Sequence, residues 1–336
     1  MTTLTEGILS AIGNTPLVRL SRIFPDAGFH LFAKLEGLNP GGSMKDRAAL
    51  SIIRHAVESG LIKSGDVVIE SSSGNMGIGL AQACSYYGLK FICVIDPKTT
   101  QQNIEILQTY GAEIDLVSEP DPATGEYLLA RINRVKWLLH SIANSFWPDQ
   151  YSNRYNALAH HRTMDEIVQA LRRQVDYVFC ATSTCGTLRG CSDFIRQQRL
   201  KTRVWAVDAI GSVIFGGKRA KRLIPGHGAA VTPALYRDGL ADEYTQVSDL
   251  DCIAGCRRLV KAEAILAGGS SGAVISAIGR ARPFIPPSAI CVAILADRGE
   301  RYLDTIYSDE WVNEHFGDVY ESWREDAAPA LELVAS

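Results

Sequence analysis

The sequence predicts an α/β protein, helices laid over parallel sheet, and three observations carry that expectation. Short β-branched runs alternate with stretches of helical period through nearly all of the 336 residues. The intervals between the runs are long enough for a crossover helix, which parallel strands require and hairpins do not. Hydrophobic residues make up 46% of the chain and charged residues 21%, a balance that supports a sizeable core.

In chain order the strand-like runs are LFAKLE (31–36), DVVIE (66–70), FICVID (91–96), EIDLV (113–117), DYVFCA (176–181), RVWAVDA (203–209) and AICVAILAD (289–297). Between and beside them, helical period predicts helices over 45–60, 76–87, 99–110, 126–142, 160–173, 187–199 and 251–266. Breaks fall around Asn39–Gly42, around Pro148–Asn153 and in the Gly/Pro-rich stretch 211–233. The charged, Ala/Pro-rich C-terminal stretch after residue 311 suggests a helix packed on the surface. At about 150 residues per domain, the length suggests two domains.

Several function classes fall away. Thirty-four basic against thirty-seven acidic residues give a net charge of −3, so there is no cationic surplus to neutralise nucleic-acid phosphates. Apolar runs such as Cys291–Ala296 are far shorter than the roughly 20 residues a bilayer demands. The opening MTTLTEGILSAIGNTP lacks the basic start and continuous apolar core of a signal peptide, so a cytoplasmic protein is expected. Its eight cysteines form no C-x-x-C pair, which argues against a disulfide framework and against paired metal knuckles. Cys252 and Cys256 stand one helical turn apart without a histidine pair nearby and read as buried thiols; no metal is expected. His160 and His161, at the start of a predicted helix, read as packing or as an exposed pair.

Three Ser/Gly loops carry the chemistry. In ESSSGNMGIGL (70–80) a strand ends, Ser71-Ser72-Ser73-Gly74-Asn75 follow, and a helix begins. Unpaired N–H groups and the helix dipole favour an anion at such a junction. CATSTCGTLRG (180–190) repeats the arrangement with Ser183-Thr184-Cys185-Gly186-Thr187, and AGGSSGAV (267–274) sets Ser270 and Ser271 among glycines. Simple helix capping explains one such loop; three in one α/β chain favour a ligand with at least two anionic groups. None reads G-x-G-x-x-G, and GSVIFGGK (211–218) has the wrong spacing for a nucleotide P-loop. In NPGGSMKDRAA (39–49), Lys45 sits in the first turn of a helix, where the dipole disfavours its cationic form and its pKa should fall. That suits a nucleophilic amine forming a Schiff base.

The order NTPLV (14–18), NPGGSMKDR around Lys45, SGNMG (73–77), STCGT (183–187), GGSSG (268–272) and DRGERYL (297–303) resembles the fold-type II pyridoxal-phosphate enzymes. These are the O-acetylserine sulfhydrylase and cystathionine β-synthase group, with the fold of the tryptophan synthase β chain. Met44 before the lysine, Glu70-Ser71-Ser72-Ser73, DQYSN (149–153), GSVIFG (211–216) and Asp297-Arg298 are most similar to the N-(2-amino-2-carboxyethyl)-L-glutamate synthases. The resemblance implies a β-replacement that joins O-phospho-L-serine to L-glutamate through an α-aminoacrylate, with release of phosphate. The product would lead to 2,3-diaminopropionate and the siderophore staphyloferrin B.

It also implies roles. Lys45 would carry pyridoxal 5′-phosphate and act as the catalytic residue, and Asn75 would bind the phenolic oxygen of the cofactor ring. Ser183, Thr184, Cys185, Gly186 and Thr187 would cradle the phosphate, and Ser270 would meet the pyridine nitrogen. Ser71, Ser72 and Ser73 would take the substrate carboxylate, while Arg131, Tyr151 and Ser183 would recognise the substrate. Cys185 stands where the family commonly has glycine. The expected domains are 1–38 plus 151–336, the larger, and 39–150, smaller and mobile. A homodimer is implied, together with a pathway dehydrogenase acting on the product.

Three alternatives remain at this point. A cysteine synthase would use O-acetylserine or O-phosphoserine with sulfide. A non-catalytic binder could share the scaffold. A serine hydrolase would use Ser270, since Gly268–Gly272 fits G-x-S-x-G, with AEAILA as the preceding strand and Asp297 and His315 downstream.

Overall fold

The computed structural model describes residues 7–123, 125 and 127–319. In chain order its strands are β1 (Leu17–Leu20), β2 (His30–Leu35), β3 (Val67–Ser71), β4 (Lys90–Ile95), β5 (Glu113–Leu116), β6 (Ser145–Phe146), β7 (Tyr177–Ala181), β8 (Arg203–Ala209), β9 (Glu243–Val247) and β10 (Ile290–Leu295). Its α-helices are α1 (Lys45–Glu58), α2 (Asn75–Tyr87), α3 (Gln101–Thr109), α4 (Tyr127–Ser141), α5 (Arg154–Ala170), α6 (Gly186–Gln197), α7 (Asp249–Glu263), α8 (Gly269–Ala281) and α9 (Asp309–Phe316).

The strands form two sheets, one of six strands in the order β1-β2-β10-β7-β8-β9 and one of four in the order β5-β4-β3-β6. Pairing is parallel except between β1 and β2, where Leu17 faces Lys34. In the larger sheet Val292 of β10 aligns with Phe32 on one side and Val178 on the other. In the smaller, Val68 aligns with Phe91.

Helices cover both faces of each sheet, which is why the central strands read as continuous apolar runs. Along β7, Val178 turns toward the face holding Met164, Ile167, Leu188 and Val204 from α5, α6 and β8. Phe179 turns the other way and stacks on Trp205 with ring centroids 5.2 Å apart, beneath α7 and α8. In the smaller sheet α1 and α2 bury Ile52, Ile53 and Leu80 against Phe91, and α4 brings Val135 and Leu138 to the opposite face. Fully burying one such side chain contributes about 1.5–3 kcal/mol.

Several elements depart from the sequence expectation, which included no strand at β1. α5 begins at Arg154, not near residue 160, because the Asn153 side chain accepts from Tyr155 N at 3.0 Å and caps it. His160 and His161 therefore lie inside a helix. β6 is only two residues long and β9 is half polar, so neither shows a strand pattern. Of the C-terminal helix expected after residue 311, the structure describes α9; residues 320–336 lie outside the described residues. Among the described residues no helix is long and apolar enough to cross a membrane.

Parallel strands all present their carboxyl ends on the same side, where open α/β sheets gather ligand-binding loops. The ends of β3, β4, β7, β8 and β10 carry the segments that follow them at 71–75, 96–100, 182–186, 209–212 and 296–298.

Candidate active site

Lys45 opens α1, and the turn before it is tied to the chain leaving β10. Met44 N donates to Ala296 O at 2.8 Å, Arg298 N donates to Gly42 O at 3.2 Å, and Ser43 forms an antiparallel bridge with Asp297. Gly42 adopts φ +87°, a conformation glycine alone takes without strain. Below the turn, the Arg47 guanidinium donates to Glu36 at 2.6 Å and to Glu166 at 2.7 Å, and Lys34 joins Glu166 at 2.6 Å. These ion pairs fix α1 against the end of β2 and against α5. Lys45 itself is half-buried. Burial holds its amine below the usual lysine range, while the Asp297 carboxylate and Cys185 pull the other way.

The loop after β7 is rich in unused donors. The N–H groups of Ser183, Thr184 and Cys185 meet no acceptor among the described residues, and those of Gly186 and Thr187 lie in the first turn of α6. Cys185 takes a left-handed conformation, φ 62°, which helps turn the strand into the helix. Asn156 on α5 braces the loop, donating to Gln150 O at 2.7 Å and to Thr184 Oγ1 at 3.2 Å. His160 Nε2 lies 3.3 Å from Thr187 Oγ1, and burial holds the imidazole far below its usual pKa, so it is neutral. Clustered N–H groups at a helix N-terminus beside the half-buried Lys45 fit a ligand that carries a phosphate and a carbonyl.

The loop after β3 is organised differently. Ser72 Oγ accepts from Gly77 N at 2.9 Å and from Gly74 N at 3.4 Å, so its hydroxyl closes the turn into α2. Ser71 Oγ is buried with no hydrogen-bond partner, and Ser73 is half-buried. Asn75 opens α2; its Nδ2 donates to Asp297 Oδ2 at 2.7 Å, and its Oδ1 accepts from Arg301. In the third loop Ser271 Oγ accepts from Ala296 N at 2.9 Å, whereas the buried Ser270 hydroxyl makes no hydrogen bond among the described residues.

Arg131 lies on α4 with its side chain 12% exposed and meets the Asp96 carboxylate at 3.3 Å. That contact lies off hydrogen-bonding geometry, so Nε and Nη1 are buried with no hydrogen-bond partner. Its helix neighbour Arg134 instead binds Asp115 at 2.8 Å. Tyr151 sits in the loop before α5, where its carbonyl accepts from Leu235 N at 3.2 Å. Burial raises its phenol, Arg131 and Arg222 oppose that, and Glu70 adds to it.

The arrangement lacks the serine-hydrolase elements. Residues 264–268 form no strand, only a bridge from Ala267 to Arg298, and Ser270 lies inside the first turn of α8. Asp297 bonds Asn75 and Tyr302, not a histidine, and His315 stacks on Trp311 in α9. All eight cysteines are free and buried, and Cys256 Sγ donates to Gly268 O at 3.2 Å. Among the described residues no cluster of three or more His, Cys, Asp or Glu side chains is placed to hold a metal.

The sequence assigns no role to Asn156, Arg301 or Tyr302, and gives Asp297 one only as the acid of the serine-hydrolase alternative. Asp297-Arg298 stood out as a motif, but only the fold brings Asp297 to Asn75. A side chain on Gly268 would overlap Asp297, so the glycine leaves room for that carboxylate.

Residues 8–297 match the family model described as pyridoxal-phosphate dependent enzyme. Solved structures agree with the whole fold. A cysteine synthase from Entamoeba histolytica is 31% identical with a TM-score of 0.84, covering 91% of both chains. A hydrogen sulfide-producing enzyme from Fusobacterium nucleatum is 32% identical with a TM-score of 0.83, covering 90% of this chain and 99% of that one. An O-ureido-L-serine synthase is 30% identical with a TM-score of 0.83, covering 95% of this chain and 100% of its own.

Proposed function

The chain belongs to the family of pyridoxal-phosphate dependent enzymes, and from that premise we propose that it catalyses β-replacement on O-phospho-L-serine with L-glutamate as the amine nucleophile. The products are N-(2-amino-2-carboxyethyl)-L-glutamate, a precursor of 2,3-diaminopropionate, and phosphate. The named relatives support the class of reaction, since a cysteine synthase and an O-ureido-L-serine synthase both build on a serine skeleton. One observation carries the choice of donor. The buried Arg131 guanidinium leaves Nε and Nη1 without a hydrogen-bond partner, and a phosphate ester, charged and carrying several acceptor oxygens, answers such donors where a neutral acetyl group does not.

Bound pyridoxal phosphate supplies an electron sink for the negative charge that develops at the substrate α-carbon. In this reading the N–H groups of residues 183–187 hold its phosphate, the free N–H of Asn75 its ring oxygen, and the Ser270 hydroxyl its ring nitrogen. A hydroxyl there leaves the nitrogen largely unprotonated, which favours loss of the β-substituent. Lys45 Nζ, kept closer to neutrality by burial, first holds the cofactor and then takes the α-proton of the substrate. Ser71 and Ser73 offer hydroxyl and backbone donors to the substrate carboxylate, while Ser72 keeps their loop in shape. Arg131, with Tyr151 and Ser183 beside the substrate, stabilises the departing phosphate. Residues 39–150 close over the site and exclude water while the glutamate amine adds to the β-carbon.

The visible absorption of purified protein tests this. O-phospho-L-serine should shift the band of the Lys45-linked cofactor and release one phosphate per site, and L-glutamate should restore it. A shift with O-acetylserine that only sulfide reverses would make the chain a cysteine synthase. No band, even with added pyridoxal phosphate, would remove the assignment of Lys45.

A further inference from the structure

Asn75 has two chemically opposite ends, and the structure gives each a partner that accepts only one of them. Arg301 donates to Oδ1, and a guanidinium has no acceptor. Asp297 Oδ2 accepts from Nδ2 at 2.7 Å, and an ionised carboxylate has no donor. An amide held this way has one orientation out of two, with a single N–H left unused. The same carboxylate accepts the Tyr302 hydroxyl at 2.5 Å, and its Oδ1 is buried with no hydrogen-bond partner. Arg301 also donates to Gly41 O at 2.5 Å, and Asp297 bridges to Ser43. The residues that orient Asn75 are thus bound to the turn that carries Lys45, Arg301 through its side chain and Asp297 through its backbone.

We propose that Asp297 is a positioning residue for the chemistry at Lys45: it fixes the orientation of the Asn75 amide and supplies the negative charge that faces the lysine. The roles of Lys45 and Asn75 rest on the functional reading above; what Asp297 does follows from its bond to Asn75 and from its charge beside Lys45. A serine hydroxyl at this position would donate as readily as it accepts, so it could not distinguish the two ends of the amide.

The charged and titratable groups around Asp297 are Lys45, Arg301 and Tyr302, with Cys256 and Tyr307 on the far side. Lys45 additionally faces Cys185 and His160. Burial pushes the Cys185 and Cys256 thiols up to about 12, raises the two phenols, and keeps His160 neutral. Burial also raises the Asp297 carboxyl, while the Tyr302 hydroxyl, the Asn75 amide, Arg301 and Lys45 itself favour its charged form, so among these groups Asp297 is the one that offers Lys45 a negative charge.

Asp297→Asn and Tyr302→Phe, both loaded with pyridoxal phosphate, separate this role from packing. Asp297→Asn keeps the shape but removes the charge, and its amide can present either end to Asn75. The pH midpoint of the cofactor's visible band should fall by about one unit, because a neighbouring opposite charge is worth roughly 1–3 units. Cofactor should also dissociate about tenfold more readily, the effect of losing one charge-assisted hydrogen bond. Tyr302→Phe keeps the carboxyl group and the Asn75 contact and removes only one hydroxyl that favours the charged form, so the midpoint should move by much less than in Asp297→Asn. An Asp297→Asn protein with the parent's midpoint overturns the proposal even if its melting temperature falls. So does a Tyr302→Phe protein whose midpoint moves as far as that of Asp297→Asn. A parent protein without a visible band overturns the assignment of Lys45 and this proposal together; a normal parent band with an unshifted variant overturns this proposal alone.

Discussion

A side chain on Gly186 would overlap the Oδ1 of Asn156. The two residues come from α6 and α5, and their closeness lets the Asn156 amide reach both Gln150 O and Thr184 Oγ1. Glycine at the first position of α6 thus protects a brace that spans the loop before α5 and the loop after β7.

Gly186→Ala should push the Asn156 amide out of that brace and disorder the donors of residues 183–187. Overpacking of this kind costs about 1–3 kcal/mol, so pyridoxal phosphate should be held at least tenfold less tightly. Absorbance of bound cofactor after dialysis measures it. Retention equal to the parent's would mean that Asn156 does not organise the loop.

Cys185 combines a costly backbone with a useful side chain. A left-handed conformation costs a non-glycine residue about 1–2 kcal/mol, yet the thiol is 2% exposed and packs on Ile214, Ala229 and Leu235. The two effects nearly cancel, so Cys185→Gly should change stability by less than about 1 kcal/mol. Burial pushes the thiol up to about 12, so native protein at pH 8 should resist iodoacetamide at this position. Peptide mapping that finds Cys185 alkylated as fast as an exposed thiol would show the loop to be open.

Much of this architecture is legible in the sequence because the central strands are buried on both faces. VVIE, FICVI and YVFC announce themselves by unbroken apolar composition, and the observed β3, β4 and β7 lie within a residue or two of the expected runs. β6 and β9 escape because two residues carry no pattern, and because Glu243, Tyr244 and Gln246 are only partly buried at a sheet edge. The sequence places the start of α5 late because its first turn, RYNALA, is not strongly periodic and its cap is an asparagine in a segment that reads as loop. In the site, the Ser/Gly loops and Lys45 are visible because each is a local strand-to-helix junction. The Asn75–Asp297 and Asn156–Thr184 contacts are not, since each joins residues that only the fold brings together.

Glu70 gives the fold a pH dependence of defined sign. It accepts from Ser71 N at 2.8 Å, Trp147 Nε1 at 3.1 Å and Gln150 N at 3.2 Å. Burial outweighs these bonds and pushes its carboxyl up to about 7. A folded value above the ordinary 4.5 means that stability present below pH 4.5 is lost as pH rises to about 7. Glu70→Gln cannot ionise, so relative to the variant the parent should lose about 3 kcal/mol across that window. Urea unfolding of both proteins at pH 4.5 and pH 8 measures the difference. Parallel curves would show that Glu70 titrates as an ordinary carboxyl.

Arg131 decides between donors. If its buried guanidinium receives the phosphate of O-phospho-L-serine, Arg131→Ala should lower kcat/KM for that donor about a hundredfold, from the loss of two charge-assisted hydrogen bonds. O-acetyl-L-serine, whose leaving group carries no charge before departure, should lose far less. The alanine variant also takes the ion-pair partner from the buried Asp96 carboxylate, 3.3 Å from Arg131, and leaves it the Lys98 N–H. Arg131→Lys keeps a cation there without the planar fork, and should fall between parent and alanine with phosphoserine while leaving acetylserine nearly untouched. The ratio of the two donors' kcat/KM values is therefore the decisive quantity, because damage to the fold lowers both together. A ratio unchanged in both variants would place Arg131 outside the donor site and leave Asp96 as its sole purpose.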